Sequence, residues 1–318
     1  MMKTKLVSVG LPTWNGALGL NRALDALLAQ TYSNIEIIIS DNASTDDTQS
    51  ICEEYAKRDS RIRYLRQKVN IGPFENFQFI FREARGEDYF MWAGDDDWWR
   101  PDFIARMKSI LDNNPDYGVA SASFKSLDNK KEERIYKFEG YYDLTKLGKF
   151  ELFRHIAGGV VKNKDPMVVY GFWRKKFLDK FSYRLFLTDC KSPDRTFLAE
   201  AALLTKFYTL PDVLWGKGSK ESPERWKKGR VTRKGDGYAH SFYHYTVLLL
   251  VRLMTSRNLS GREKLAVLKY YPRIISDLKS YYFYRDLRYI VRSFWLGRKV
   301  LMPALRKIKH LFPKPATF

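Results

Sequence analysis

The segment Tyr89–Asp102 reads YFMWAGDDDWWRPD, and three adjacent carboxylates, Asp95, Asp96 and Asp97, follow its apolar run. Like charges side by side repel, so folding alone gives no reason to gather them. Two further polar clusters, PTWN (Pro12–Asn15) and SDNAST (Ser40–Thr45), also follow apolar, β-branched runs. Acidic groups that converge in a chain so basic elsewhere suit a divalent cation, which cancels the repulsion. Mg²⁺ or Mn²⁺ takes oxygen ligands and shares them with substrate phosphates. The competing explanation for an acidic run is a solvated turn, but here the run lies between a buried strand and WWRP.

The elements around these clusters explain how they could meet. KLVSVGLP reads as a buried strand that stops at Pro12. Leu20, Leu24, Leu27 and Leu28 recur at helical spacing between Gly16 and Gln30. IEIIIS is a strand ending on Asp41, and a helix from Asp46 to Arg58 carries Asp46 and Asp47 in its first turn. RIRYL is strand-like, Phe74–Ala84 helical and YFMWA a strand; Pro101 and Asp102 open the next helix. Four strand–helix alternations imply right-handed crossovers and an α/β fold with a Rossmann-like, mainly parallel sheet flanked by helices. Ligands of such sheets bind beyond the carboxyl ends of the strands, so all three clusters belong on one rim.

Composition sets the wider limits. The chain has 318 residues, 45% of them hydrophobic, enough for one large domain or two. Cys52 and Cys190 are far apart and show no metal-ligand spacing, which fits a reducing compartment. The N-terminus lacks a secretory pattern, and no apolar run reaches the roughly 18–20 residues that span a bilayer. The longest candidate, Thr246–Met254, is interrupted by Arg252. Residues 1–118 hold 14 Lys/Arg against 18 Asp/Glu, whereas the rest hold 42 against 18. That asymmetry points to an anionic partner: nucleic acid, a phospholipid surface or a phosphorylated substrate.

VSVGLPTWNG, QTYSNIEIIISDNASTDDT, NIGPFEN and ARGEDYFMWAGDDDWWRPD, in this order, resemble the family 2 nucleotide-sugar glycosyltransferases of the GT-A fold. The resemblance covers about residues 5–125. It implies inverting transfer from a nucleoside diphosphate sugar, UDP- or dTDP-linked, to an acceptor hydroxyl, aided by Mn²⁺ or Mg²⁺ at a DxD-type motif. By position, Pro12, Thr13 and Trp14 line the nucleobase pocket, with Trp14 stacking on the base. Asp41 accepts the imide N–H of uracil or thymine, and Asn70 and Asn76 help hold the nucleoside. Asp95 sits nearest the ribose or sugar hydroxyls, with Asp96 and Asp97 at the metal. One departure is Gly94, where many members begin the motif with Asp.

Transfer also needs a general base on the face opposite the leaving diphosphate. The family resemblance implies an acidic residue at a helix start, which here is Asp194 in SPDRTFLAEAA, with Asp189 as the fallback; the competing explanation for Asp194 is a helix cap. Positive charge for the diphosphate comes from Trp215–Gly235, with eight Lys/Arg and four glycines, read as a lid or as a solvated loop. His240 and His244 are four apart, but nothing nearby completes a metal site.

The expected organisation is a nucleotide-sugar-binding half at 1–125, an acceptor-binding and catalytic half at 126–237 with the lid at 215–235, and a basic helical extension at 238–318. In that extension Leu287, Ile290, Val291, Phe294, Trp295, Leu301, Leu305, Ile308 and Phe312 trace one face, and Arg285, Arg288, Arg292, Lys299 and Arg306 another. Such a segment suits an anionic membrane surface, or packs on the catalytic domain with a solvated basic face. The expected protein is therefore cytoplasmic, peripheral at the inner face of the cell membrane, and acts on a glycan or lipid-linked acceptor of surface polysaccharide synthesis. The rival is a nucleic-acid-binding protein that uses the basic C-terminal platform on phosphates; it leaves the three acidic clusters, which would repel a backbone, without a purpose, so no nucleic acid partner is expected. A metal-dependent nuclease accounts for the aspartates but gives PTWN and SDNAST no purpose.

Overall fold

The computed structural model describes residues 5–127, 133–138, 143–158, 165–181, 186, 193–218 and 242–274. The chain divides into two compact units. The first comprises Met1–Lys149, Pro166–Thr188 and Thr205–Arg230; the second comprises Phe150–Asp165, Asp189–Leu204 and Val231–Phe318. The units interleave along the chain.

The first unit begins with β1 (Val7–Thr13), α1 (Ala17–Leu28), β2 (Ile35–Asp41), α2 (Thr48–Arg58), β3 (Ile62–Arg66), α3 (Pro73–Arg82) and β4 (Tyr89–Trp92). Strands β3, β2, β1 and β4 lie side by side and parallel. Both faces are covered, which is why β2 is buried at every residue and reads as an unbroken IEIII run. Alternate residues go to opposite faces. Val7, Val9 and Leu11 share one buried cluster with Leu20, Leu24 and Leu27 of α1, while Gly10 faces Ile80 of α3 and the ring of Phe90.

Beyond β4 the sheet is mixed. β5 (Trp98–Trp99), α4 (Phe103–Asn113), β6 (Tyr117–Leu127), β7 (Glu133–Tyr136), β8 (Phe172–Arg174) and β9 (Lys206–Lys217) extend it in the order β4–β8–β6–β9–β5. β8 is antiparallel to both β4 and β6, β9 is parallel to β6, and β5 is antiparallel to β9.

Three boundaries differ from expectation, two of them for evident local reasons. β1 continues through Pro12, paired with Ser40, to Thr13. The Gly10 carbonyl bonds to Ala93 on the β4 side, and Pro12, two residues on, faces the same way past the last paired residue of β4. No ladder bond is lost by its missing N–H. α2 starts at Thr48 because the Asp46 carboxylate accepts the Thr48 backbone N–H (3.1 Å) and hydroxyl (2.5 Å) from outside the helix. Similarly, α4 begins after Pro101 and Asp102, at Phe103.

The second unit contains α7 (Pro193–Ala202), the helix Phe242–Thr255 and a helix over residues 261–274, with most of α5 (Lys149–Ala157). Arg252, the charge inside the longest apolar run, donates to Glu200 of α7 at 2.6 Å, both side chains being almost fully buried. Ser256 donates to the other Glu200 oxygen. A buried carboxylate is tolerated when paired and hydrogen-bonded in this way. Among the described residues no helix is long and apolar enough to cross a membrane.

Candidate functional site

Backbone register brings the three polar clusters together. β1 and β2 end side by side at the Thr13–Asp41 pair, and β4 stops opposite Gly10, so its continuation, Gly94–Asp97, runs alongside the end of β1. Side chains then fasten the loops. Thr13 donates to Asp95 at 2.6 Å. The Asn15 backbone donates to Ser44 (2.9 Å), and its side-chain oxygen accepts from the Thr45 N–H (2.8 Å). Gly16 N–H donates to Thr48 at 2.8 Å. Asn15 and Ala43 hold left-handed backbone conformations (φ 50° and 59°), and both belong to these two loops. Such strain persists where surrounding contacts over-determine it, and it clusters at functional sites.

Asp41 is fully buried. Its carboxylate accepts from the Ser44 backbone (2.8 Å) and from Tyr64 (3.0 Å), and pairs with Arg66. Arg66 also donates to the Ser44 carbonyl at 2.8 Å. Burial first, then hydrogen bonding to Asp41, pushes the Tyr64 phenol up. The Cys52 thiol behind the rim is raised to about 12, by burial and next by the charges of Asp41 and Asp95. Three acceptor positions of Asp41 are therefore occupied by protein donors.

The aspartate run is shaped from below by β9. Gly216 pairs with Trp98, and the Gly218 N–H donates to Asp97 at 3.0 Å. Asp97 folds back so that its carboxyl lies where a side chain at Gly94 would begin, 2.5 Å from an ideal Cβ. Glycine at the head of the motif is what admits that conformation. Asp95 and Asp97 are buried, whereas Asp96 is partly exposed and its carbonyl accepts from Arg22. Burial foremost, and then the neighbouring Asp96 charge, raises the Asp97 carboxyl to about 7; Lys217 and the Gly218 N–H oppose the shift.

Among the described residues no group of three His, Cys, Asp or Glu side chains forms a self-sufficient metal site. The donors that are present nevertheless fit a hard cation held jointly with a ligand. Asp96 and Asp97 offer carboxylate oxygens, and the uphill ionisation of Asp97 is the discomfort a divalent charge would relieve. One or two carboxylates plus phosphate and water is a usual Mg²⁺ coordination.

Residues 8–185 match the family model described as Glycosyl transferase family 2. The chain belongs to that family. An uncharacterized glycosyltransferase of Rickettsia typhi is 34% identical over 131 residues, 41% of this chain and 40% of the relative. The glycosyltransferase GlyA of Streptococcus pneumoniae is 28% identical over 167 residues, 48% of this chain and 24% of the relative. The matched part thus spans well under half the length of these curated relatives. Among solved structures, Staphylococcus aureus TarS 1–349 in complex with UDP-GlcNAc superposes with a TM-score of 0.64 at 14% identity, covering 90% of this chain and 78% of that 1–349 chain. A mannosyltransferase from Pyrobaculum calidifontis in complex with GDP-Man and Mn²⁺ gives 0.57 at 16% identity, covering 97% and 81%. These likenesses show the GT-A fold of the family 2 enzymes.

The remaining candidates fall in different places. Pro12 and Trp14 are partly exposed at the end of β1. Asn70 is exposed; its side-chain oxygen accepts from Asn42 (3.0 Å) and from the Gly72 N–H (2.8 Å), which shapes the loop before α3. Asn76 is 2% exposed and clamps Ser40, accepting its hydroxyl at 2.5 Å and donating to its carbonyl at 2.9 Å. Both arrangements support the end of β2. Asp194 is the second residue of α7, in the second unit, and accepts the Arg195 N–H at 2.8 Å. Asp189, His240 and the lid from residue 219 to 235 lie outside the described residues, as does the side chain of His244. Trp215–Lys217, read as the start of the lid, belong to β9.

Sequence reading missed Arg22, Tyr64 and Arg66, and placed Lys217 and Gly218 in a lid, where the structure has them at the end of β9 and beside Asp97. The alternation of RIRYLR put Tyr64 and Arg66 on one face beside Asp41, and the paired glycines of WGKG signalled a close backbone approach.

Proposed function

We propose that this family 2 chain is an inverting glycosyltransferase assisted by Mn²⁺ or Mg²⁺. It moves a sugar from a UDP- or dTDP-linked donor to a hydroxyl of a glycan or lipid-linked acceptor in cell-surface polysaccharide synthesis. The observation that carries this reading is the fastening of three strand-end polar clusters into one rim, through Thr13–Asp95 and Asn15–Thr45.

In this reading Trp14 stacks on the base, and Asp41, oriented by Tyr64 and Arg66, accepts the imide N–H. Asp95, fixed by Thr13, receives ribose or sugar hydroxyls, while Asn70 and Asn76 keep the pocket wall in register. Asp96 and Asp97 would hold the cation, whose contribution when bound is to neutralise charge on the leaving diphosphate. Asp194 takes the proton of the acceptor hydroxyl as its oxygen attacks the anomeric carbon. The bond to the diphosphate breaks on the opposite face, its electron pair leaves on the phosphate oxygen, and the configuration inverts. The solved neighbours support the donor class, since TarS binds UDP-GlcNAc and the Pyrobaculum enzyme binds GDP-Man with Mn²⁺.

The test is a thermal-shift screen of nucleotide sugars with and without Mn²⁺. A true donor raises the melting temperature by binding the native state, and does so more strongly with metal. Asp194→Asn then keeps the donor-induced shift but loses transfer by roughly 10²–10⁴-fold. No shift with any nucleotide sugar rules out the donor reading, and full transfer by Asp194→Asn removes the base.

A further inference from the structure

We propose that Arg22 of α1 is a positioning residue: it holds the aspartate turn so that Asp96 and Asp97 stand ready for a divalent cation, a role that rests on the donor reading above. Arg22 is exposed, and its guanidinium donates to the backbone carbonyl of Asp96, 74 residues along the chain. An exposed helical arginine is ordinarily solvated or paired with a carboxylate one turn away. Asp25 stands at that spacing, yet its carboxylate accepts the Tyr55 hydroxyl at 2.7 Å. Among the described residues Arg22 forms no ion pair, and its contact is with the turn.

That contact falls where the backbone is already enclosed. On the α1 side, an ideal Cβ at Gly19 would lie 2.7 Å from the Asp96 Cβ, 2.8 Å from its Cα and 2.9 Å from the Asp95 carbonyl oxygen. On the β9 side, a Cβ at Gly218 would lie 1.9 Å from the Asp96 carbonyl oxygen. Helix and strand close on the turn, and glycine at both positions is what leaves room for it. Gly19 and Arg22 are three apart and so share a face of α1. The glycine admits the turn and the arginine grips it.

The choice of carbonyl gives the bond its effect. The Asp96 carbonyl belongs to the planar peptide that joins Asp96 to Asp97. Holding that plane sets the torsions on both sides of it, ψ of Asp96 and φ of Asp97, and with them the directions of both carboxylates. A bond from a charged donor is stronger than a neutral one, so it holds the plane firmly. Ligands fixed in advance lose less freedom when a cation binds. Two bland alternatives treat Arg22 as a bare charge. A phosphate contact would help the nucleotide with or without metal, and a cation repelled by Arg22 would bind more tightly once the arginine is gone.

The experiment uses the full chain and calorimetry with UDP and GDP, in Mn²⁺ and in chelator. Arg22→Met is expected to lower diphosphate affinity by about fivefold to tenfold in Mn²⁺, the loss of one charged hydrogen bond. Affinity in chelator and the melting temperature stay as in wild type, and Arg22→Lys recovers part of the loss. Combined with Asp96→Asn, Arg22→Met lowers affinity no further, because it acts through that ligand. Equal affinity of Arg22→Met and wild type in Mn²⁺ overturns the assignment. An equal loss in chelator makes Arg22 a phosphate contact, a tighter Mn²⁺ complex makes it a repelling charge, and a lower melting temperature makes it a packing residue; each overturns it. A wild type that binds neither nucleotide sinks the donor reading, and one that ignores Mn²⁺ sinks the metal role of the turn. Both differ from a Mn²⁺-dependent wild type matched by its variant, which overturns Arg22 alone.

Discussion

Asp97 concentrates the electrostatic argument in one carboxyl group. Burial and the adjacent Asp96 hold it near 7 in the folded protein, against an ordinary 3.8. Between roughly pH 4 and 7 the native state therefore keeps a proton that the unfolded chain has lost, so this group lowers stability as pH rises through that window. Asparagine cannot ionise, yet its amide oxygen can still accept the Gly218 N–H. In metal-free buffer the stability of Asp97→Asn relative to wild type will rise from pH 5 to pH 8, by a free energy on the order of a few kcal/mol. Melting curves at the two pH values with chelator check this, and a gap that does not change with pH refutes it. At this scale the sequence was informative about residue type and blind to partnership. Three adjacent aspartates announced a charged site, and Asp41 announced a strand-end acceptor. That Asn76 faces Ser40 and Asp41 faces Arg66 depends on which strands become neighbours, and single residues carry no record of that.

Among the elements, the parallel half was legible because its signals are local. Leu20, Leu24 and Leu27 mark a helix, and the unbroken IEIII run marks a strand covered on both faces. β5, β8 and β9 were harder, since two or three residues such as Trp98–Trp99 become a strand only through a distant partner. The Trp98–Gly216 pair is where that long-range pairing meets the site. An ideal Cβ on Gly216 would lie 2.1 Å from the Trp98 indole nitrogen and 2.4 Å from its neighbouring ring carbon. Neither strand can accept this without separating. Gly216→Ala will destabilise the fold by about 1–3 kcal/mol, the usual range for overpacking. It will also weaken Mn²⁺-dependent diphosphate binding, because the turn bearing Asp95–Asp97 is carried directly on β5. Denaturant melts together with calorimetry measure both effects. Unchanged diphosphate affinity in a folded variant would show that β9 supports the sheet without setting the turn.

For the whole molecule, the charge asymmetry has to find a partner. The acidic rim and the basic remainder belong to one chain, and a phosphorylated donor engages only a few of the cations. The helix over residues 261–274 shows how others are displayed. Leu265 and Leu268, 70% and 47% exposed, share one face with exposed Arg262, Lys269 and Arg273, while Val267 and Ile274 turn inward. At 100° per residue these five side chains fall within an arc about 140° wide. The stripe of apolar and basic residues from 284 to 312 repeats the pattern, although it lies outside the described residues. Each cation near an anionic surface contributes about 1 kcal/mol, and the leucines add burial at the acyl boundary. We therefore expect the full chain to co-sediment with phosphatidylglycerol vesicles and much less with phosphatidylcholine. Salt will loosen the attachment in part, since it screens the charges but not the apolar contacts. Leu265→Glu with Leu268→Glu will weaken it, and truncation before Tyr284 will weaken it further. Donor-induced thermal shifts will remain unchanged in both variants, because the proposed donor rim is built on β1, β2 and β4. Sedimentation that ignores lipid charge, or that survives both changes intact, would leave the basic face without a membrane role; a truncated chain that no longer melts cooperatively would make the terminal segment part of the packed fold instead.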